Sequence, residues 1–576
     1  MKKRILTGAE IIWECIIREN IDVVFGYPGG TILPAYDALT KYRDKIHHVL
    51  VRHEQGATHM ADGYARASGK VGVAMATSGP GATNMVTGLA TAKLDSIPIV
   101  CITGQVPKAA IGTDAFQEVD ISGTVLPVTK YSYLVMDIYD LASTIKEAFA
   151  VARSGRPGPV LIDIPKDVQN DTIEFVYPDE PVKLPGNNHP IEASEKTIQD
   201  AADLINNAKK PVILAGHGIL LSGASQEIIQ LAETASIPIG WTLLGAGSVP
   251  ASHPLNMGMM GMHGEFAVNN AIQDADLLIA CGMRFDDRVT GNIKTYSPES
   301  KKIHIDIDPA EIGKTVKIDA PVIGDIDTVL RLLNPKISTK THTQWLKRVE
   351  HIKAEHPSLL IPETDRLLGQ QVIKTLSDIT KGEAIICTGV GQHQMWTAQH
   401  YKFDKPNRWM TSGGLGTMGY GLPASVGVQV AHPSKLVIDI AGEASVLMTM
   451  QEMSTAVQYS LPIKIFILNN EYMGMVRQWQ ELLHDKNYSE SNIAALPDFV
   501  KLAEAYGCLG IRAKTPEELD DKIIEMINTD RPVIFDCLVE KEENCFPMIL
   551  SGKPHNQMLL GPKDQKKTKL LKKGKL

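Results

Sequence analysis

Apolar and polar positions along the chain follow two periods in turn. Short apolar runs predict strands buried on both faces: 23–25, 48–51, 71–76, 98–103 and 160–164, then 211–214, 237–240, 277–280 and 303–307, then 436–440 and 463–468. Stretches with helical spacing lie between them, the first opened by a Thr7-x-x-Glu10 capping box. This alternation predicts an α/β architecture with parallel sheets. A proline-rich, aperiodic segment at 174–194 and a charged one at 341–366 divide the chain into domains at 1–180, 190–340 and 366–562. The remaining tail, 563–576, carries seven lysines and one acid and reads as a solvated end.

The segment 436–475 organises the last domain. A strand runs into the small turn Gly442-Glu443-Ala444. A helix with a Thr449-x-x-Glu452 capping box follows, and a second strand ends in Asn469-Asn470. In a parallel sheet, ligands bind at the carboxyl ends of strands. A small turn admits a phosphate to backbone N–H groups, and a carboxylate with an amide oxygen suits a hard cation, so the pattern describes a diphosphate–metal clamp.

Other turns carry chemistry too. Gly26-Tyr27-Pro28-Gly29-Gly30 follows the first strand, and Glu54 stands between a strand and a helix of small residues, where a carboxylate can serve chemistry or cap the helix. The turn at Ser78–Asn84, its helix and its strand recur as Ser412–Met418, a helix and strand 436–440, a weak internal repeat at the two ends of the chain. The middle strands end in Gly216-His217-Gly218, Trp241-Thr242-Leu243, Gly282–Arg288 and Asp306-Ile307-Asp308. Gly216-x-Gly218 is only a fragment of a dinucleotide fingerprint, and acidic strand ends serve ribose hydroxyls or solvated turns alike.

Composition narrows the class. With 576 residues, 44% apolar and 22% charged, the chain reads as a multidomain globular protein. A net charge of -8 gives no footprint for nucleic acid, and no apolar stretch of about eighteen residues predicts a membrane span. Seven cysteines without a C-x-x-C pair read as reduced core residues, and Glu10, Glu14 and Arg18 interrupt any secretory core, so a cytoplasmic protein is expected.

The segments FGYPGG, VRHEQGATHMADGYAR, TSGPGATN, GTDAFQE, RFDDRVTGN, GVGQHQMW, GGLGTMGYGLPA, NNEYMGMVRQWQ and EKEENCFPM occur in this order. Together they resemble the acetolactate synthase family of thiamine diphosphate enzymes, up to about residue 562. The family signature is Gly-Asp-Gly followed some two dozen residues later by Asn-Asn. Here 24 residues separate Ala444 from Asn469, with Glu443 at the Asp position and Ala444 at the second Gly. The resemblance implies three doubly wound α/β domains, which bind the pyrimidine, FAD and the diphosphate in turn.

It also implies roles. Glu54 would activate the cofactor, Gly416 would accept its 4′-amino group and Met418 would support its folded shape. Gln392, His393, Ala444 and Ser445 would hold the diphosphate, and Glu443, Asn470 and a carbonyl near Tyr472 would hold Mg²⁺. Gly216, His217, Gly218, Thr242, Leu243, Met262, His263, Arg284, Asp286, Asp306, Asp308 and Asp325 would contact FAD. Arg288 would bind the carboxylate of the acceptor 2-keto acid and Trp479 its alkyl group. Gly30, Phe116, Gln117 and Lys166 would line the approach. The implied reaction decarboxylates pyruvate and transfers the hydroxyethyl group to a second pyruvate or to 2-ketobutyrate, in branched-chain amino acid biosynthesis. A homodimer with shared active sites and a small regulatory subunit are the implied partners. The alternatives are another thiamine diphosphate decarboxylase or carboligase, and a catalytically weak paralogue, which Glu443 invites.

Overall fold

A computed structural model describes residues 4–183 and 193–564. Part of the 174–194 segment and nearly all of the lysine-rich tail therefore lie outside the described residues. Three six-stranded parallel sheets follow one another along the chain. The first contains β1 (Val23–Gly26), β2 (His47–Leu50), β3 (Gly72–Ala76), β4 (Ile99–Gln105), β5 (Tyr131–Leu134) and β6 (Val160–Pro165). The second contains β7 (Pro211–Ala215), β8 (Ile239–Trp241), β9 (Asn256–Met259), β10 (Leu277–Cys281), β11 (Lys301–Asp306) and β12 (Ala320–Ile323). The third contains β13 (Ile385–Thr388), β14 (Trp409–Thr411), β15 (Val437–Ala441), β16 (Lys464–Asn469), β17 (Leu509–Ala513) and β18 (Val533–Leu538).

The strand orders carry the organisation. The first sheet runs β2-β1-β3-β4-β6-β5 and the third β14-β13-β15-β16-β18-β17, which is one topology used twice. The middle sheet runs β9-β8-β7-β10-β11-β12, the order of a dinucleotide-binding fold, whose reversal falls between β7 and β10. Central strands such as Leu277–Cys281 and Val437–Ala441 are buried throughout because helices cover both faces, which is why they read as unbroken apolar runs.

The outer units pack on each other through helices Glu54–Ser68 and Gly421–Ala431. Glycine makes this possible: a Cβ on Gly63 would lie 2.4 Å from Ala424 O, and one on Gly427 2.0 Å from Met60 O. Apolar residues of both units share one cluster, including Met60, Leu89, Leu422 and Ile465. Burying such side chains contributes about 1.5–3 kcal/mol each.

The capping box at Thr7 and Glu10 is formed. The one expected at Thr449 and Glu452 is not: the helix begins at Glu443 and Thr449 is its last residue. Tertiary partners claim both side chains, because Thr449 Oγ1 donates to Gly419 O and the buried Glu452 accepts from Arg52 N. Seven unpaired cysteines are all buried, and among the described residues no helix is long and apolar enough to cross a membrane.

Candidate active site

The turn after β15 places Glu443 at the first position of its helix, 1% exposed. Its Oε1 accepts from Tyr472 N at 2.9 Å, and Asn470 Oδ1 accepts from the same N–H at 3.1 Å. The oxygens of Glu443 and Asn470 thus converge on one point at the ends of β15 and β16. Burial raises the Glu443 carboxyl pKa to about 8, and no cationic side chain among the described residues offsets it. A buried carboxylate and an amide oxygen without a protein cation fit a small divalent ion.

His393 lies beside this point on the helix Gln392–His400. Burial lowers its pKa to about 4, so it is neutral, and its Nε2 has no hydrogen-bond partner. Gly389 and Gly391 leave space that side chains would fill, since a Cβ on Gly389 would meet Ser445 Oγ at 2.0 Å and one on Gly391 the His393 ring at 2.9 Å. An orphaned imidazole nitrogen in a glycine-lined recess fits a diphosphate. Ser445 Oγ accepts from Gly419 N, and Ala444 borders a cavity of about 550 Å³ walled by residues 492–496. The Gln392 amide is engaged elsewhere: it donates to Gln478 Oε1 and Glu543 O and accepts from Asn470 Nδ2. Gln392 therefore orients Asn470.

The segment after β14 carries Gly416, exposed with φ +74°, and half-buried Met418. Glu54 opens the helix after β2, is buried, and accepts from Asn84 Nδ2 at 2.9 Å. Gly30 faces open space, and Phe116 is 87% exposed. Gln117 takes φ +61° against Gly79, and Lys166 begins a short helix at the end of β6. The loop bearing Phe116 and Gln117 is tied down by Gln105 Nε2, which donates to Val119 O and Asp163 Oδ2.

Arg288 and Trp479, nearly two hundred positions apart, meet here. The guanidinium carbon sits 5.9 Å from the indole centroid, and Nη1 lies 3.4 Å from Met262 Sδ. Trp479 and Met262 pack with Met548, Leu550 and Leu559, so one wall is apolar and its rim cationic. His263 stacks no charge there, because burial lowers its pKa to about 4 and Nδ1 donates to Pro547 O.

The residues expected at FAD all sit at the carboxyl edge of the middle sheet. Gly216 and Gly218 follow β7 and donate to Cys281 O and Gly282 O, across the point where the strand order reverses. Thr242 and Leu243 follow β8, and Leu243 O accepts from Trp409 Nε1. Arg284 lies 3.8 Å from Asp286, which caps the helix Asp287–Thr290. Asp306 ends β11, accepts from Asp308 N, and is raised to a pKa of about 6 by burial. Asp308 pairs with Arg156, and Asp325 caps the helix Ile326–Leu333. Polar groups along a strand-order reversal fit a dinucleotide, although Asp286 and Asp325 already have cap partners.

Three family models match in chain order: the N-terminal TPP binding domain of thiamine pyrophosphate enzymes at 6–124, their central domain at 198–333 and their C-terminal TPP binding domain at 389–537. Whole-chain relatives agree. The acetolactate synthase large subunit of Cyanidium caldarium is 48% identical, covering 96% of this chain and 97% of its own. The Escherichia coli isozyme 3 large subunit is 44% identical over 96% and 98%. That of Haemophilus influenzae is 43% identical over 99% and 100%. The chain belongs to the acetolactate synthase large-subunit family. It is a carboligating transferase that depends on thiamine diphosphate, an acetolactate synthase of branched-chain amino acid biosynthesis.

Within this synthase fold, several residues escaped the motif reading. Asn84 holds Glu54, and its signal was present in TSGPGATN. Gln478 and Arg477 are buried and tie the helix Gly474–Leu483 to Cys545 O and Glu543 O. Asp95 links all three units and had no local signal, since it closes an ordinary helix.

Proposed function

We propose that the chain joins the two-carbon remainder of pyruvate to a second pyruvate, giving 2-acetolactate, or to 2-ketobutyrate, giving 2-aceto-2-hydroxybutyrate. The observation that carries this reading is the Arg288–Trp479 pair: a guanidinium binds a carboxylate well, and the indole below it receives a short alkyl chain. Thiamine diphosphate, when bound, supplies the electron sink for decarboxylation. Glu54, held by Asn84, would hold the proton shared with the cofactor's aminopyrimidine. Gly416 O would accept the 4′-amino group, and Met418 would support the cofactor's folded shape. His393, Ala444 and Ser445 would hold the diphosphate, with Gln392 steadying Asn470 beside them. Glu443, Asn470 and the Tyr472 carbonyl would hold Mg²⁺. The carboxyl-edge residues of the middle sheet would hold FAD as a structural group.

Gly30, Phe116, Gln117 and Lys166 form the substrate approach. Large apolar side chains exposed on both outer units, among them Phe116, Leu415 and Met448, support a homodimer in which Glu54 of one subunit faces the clamp of the other. That arrangement excludes water, which carboligation requires. A small regulatory subunit and a cytoplasmic site of action complete the reading.

The test is an end-point assay of the purified chain with pyruvate, thiamine diphosphate and Mg²⁺, with and without FAD. Acetolactate that depends on FAD is the expected product. Acetaldehyde and carbon dioxide alone would replace this reading with that of a simple decarboxylase.

A further inference from the structure

Asp95 closes the helix Val86–Asp95 and is 2% exposed, at a point where the three units meet. Its Oδ2 accepts from Arg66 Nη2 at 2.9 Å and from Gly413 N at 3.1 Å, and its Oδ1 accepts from Gly414 N at 2.7 Å. Arg66 is itself fixed. Its Nε donates to Asp62 Oδ1 at 2.6 Å, its Nη1 donates to Thr411 O at 3.1 Å, and its guanidinium lies 5.5 Å from the centre of the Tyr420 ring. The Tyr420 hydroxyl donates to Asp62. A buried carboxylate facing three donors has no freedom to rotate, and a group this deeply desolvated persists only when every partner is in place.

The segment 411–420 is therefore gripped at Thr411, at 413–414 and at Tyr420, with Thr417 Oγ1 also 2.8 Å from Thr91 Oγ1. Gly416 and Met418 are suspended between these grips. The same helix end reaches the middle unit. Asp95 O can only accept, so His217 Nδ1, 3.1 Å away, donates to it. Ser96 Oγ accepts from Arg156 Nε at 2.7 Å, and Arg156 pairs with Asp308 and Glu311.

We propose that Asp95 is a positioning residue: oriented by Arg66, its carboxylate sets the backbone path that presents Gly416 and Met418, and its carbonyl ties that path to His217 of the middle unit. The inference rests on the reading of Gly416 and Met418 as the seat of the cofactor's pyrimidine. A displacement of about 1 Å at a reacting centre costs on the order of a hundredfold in rate, so a residue that touches no substrate can still govern the reaction.

The test uses the full chain with Mg²⁺ and FAD. It measures thiamine diphosphate affinity by tryptophan fluorescence, the ratio of acetolactate to acetaldehyde, and the thermal midpoint. Asp95→Asn sets an amide N–H against the donors of Gly413 or Arg66, and is expected to weaken thiamine diphosphate at least tenfold and raise the acetaldehyde share. Gly414→Ala crowds the same contact from the other side, since its Cβ would lie 2.8 Å from Leu94 Cβ, 2.9 Å from Asp95 Oδ1 and 3.1 Å from Arg284 Nη2, and should act in the same direction. If Asp95→Asn does not fold, Gly414→Ala decides. Affinity within twofold and an unchanged product ratio, with only the thermal midpoint lowered, overturns the proposal and leaves Asp95 a structural pair. Gly416→Ala and Met418→Ala separate the two readings. If they leave affinity and product ratio untouched, the seat itself is misassigned; if they shift both while the Asp95 and Gly414 variants do not, the proposal alone fails.

Discussion

The first and third sheets share one strand order, yet their carboxyl edges are built for different work. The third edge concentrates Glu443, Asn470 and His393 around glycines, and its central carboxylate has no side-chain cation among the described residues. On the first edge the carboxylate of interest, Glu54, is already held by a neighbouring amide, and Asp167 is paired with Lys108. The contrast extends to a matched pair in the repeat, the fourth residues of β6 and β18. Asp163 accepts only from Thr103 and Gln105, neutral groups, and burial raises its pKa to about 7. Asp536 accepts from Asn469 and also pairs with Arg512 at 2.8 Å. A duplicated topology conserves where side chains can act and leaves free which of them carries uncompensated charge.

This division of labour can be broken most severely at Glu54. Glu54→Gln should lower turnover about 10²–10⁴-fold, the range for a lost acid–base group, while thiamine diphosphate still binds by calorimetry. Turnover within tenfold of the parent would remove Glu54 from proton transfer. On the third edge, Glu443→Ala should weaken Mg²⁺ and cofactor retention by tens of fold, read by fluorescence titration. Glu443→Asp should leave that affinity unchanged or tighter, because Mg²⁺ favours oxygens at about 2.0–2.1 Å and the shorter carboxylate meets this without strain. A large loss in Glu443→Asp would mean the site is shaped around glutamate.

Trp479→Leu should keep pyruvate condensation and lose selectivity for 2-ketobutyrate by about 10- to 200-fold, as one apolar contact supplies about 1–3 kcal/mol. An unchanged product ratio with mixed acceptors would exclude the indole from that role. The smallest effect concerns Asp163. Its folded pKa is raised, so the folded chain keeps a proton that the unfolded chain loses between about pH 4 and pH 7. The stabilisation is complete below pH 4 and disappears as pH rises to 7, with a slope of at most about 1.4 kcal/mol per pH unit. Asp163→Asn should flatten that slope in denaturant titrations across pH 5–7.

Much of this was legible in the sequence. The strand runs fall within one or two residues of the strands observed, because central parallel strands are buried on both faces and must be apolar throughout. The capping box at Thr7 formed as read, while that at Thr449 did not, since Glu452 lies against the backbone of Arg52 from a distant unit. Motif order alone assembled Glu443 with Asn470 and suggested Arg288 with Trp479. It did not show that Gln392 serves Asn470, nor that Asn84 secures Glu54.

The sequence by itself determined the α/β alternation, the repeat at the two ends and the thiamine diphosphate family, because periodicity and motif chemistry are local properties. Only the tertiary structure decided which carboxylates are compensated and which backbone segments are gripped. Those depend on partners far apart in sequence, such as Arg66 and Asp95 on Thr411 and Gly414, or Arg512 on Asp536 where Asp163 has none. A buried charge is set by what surrounds it in space, and that is fixed only when the three sheets have packed.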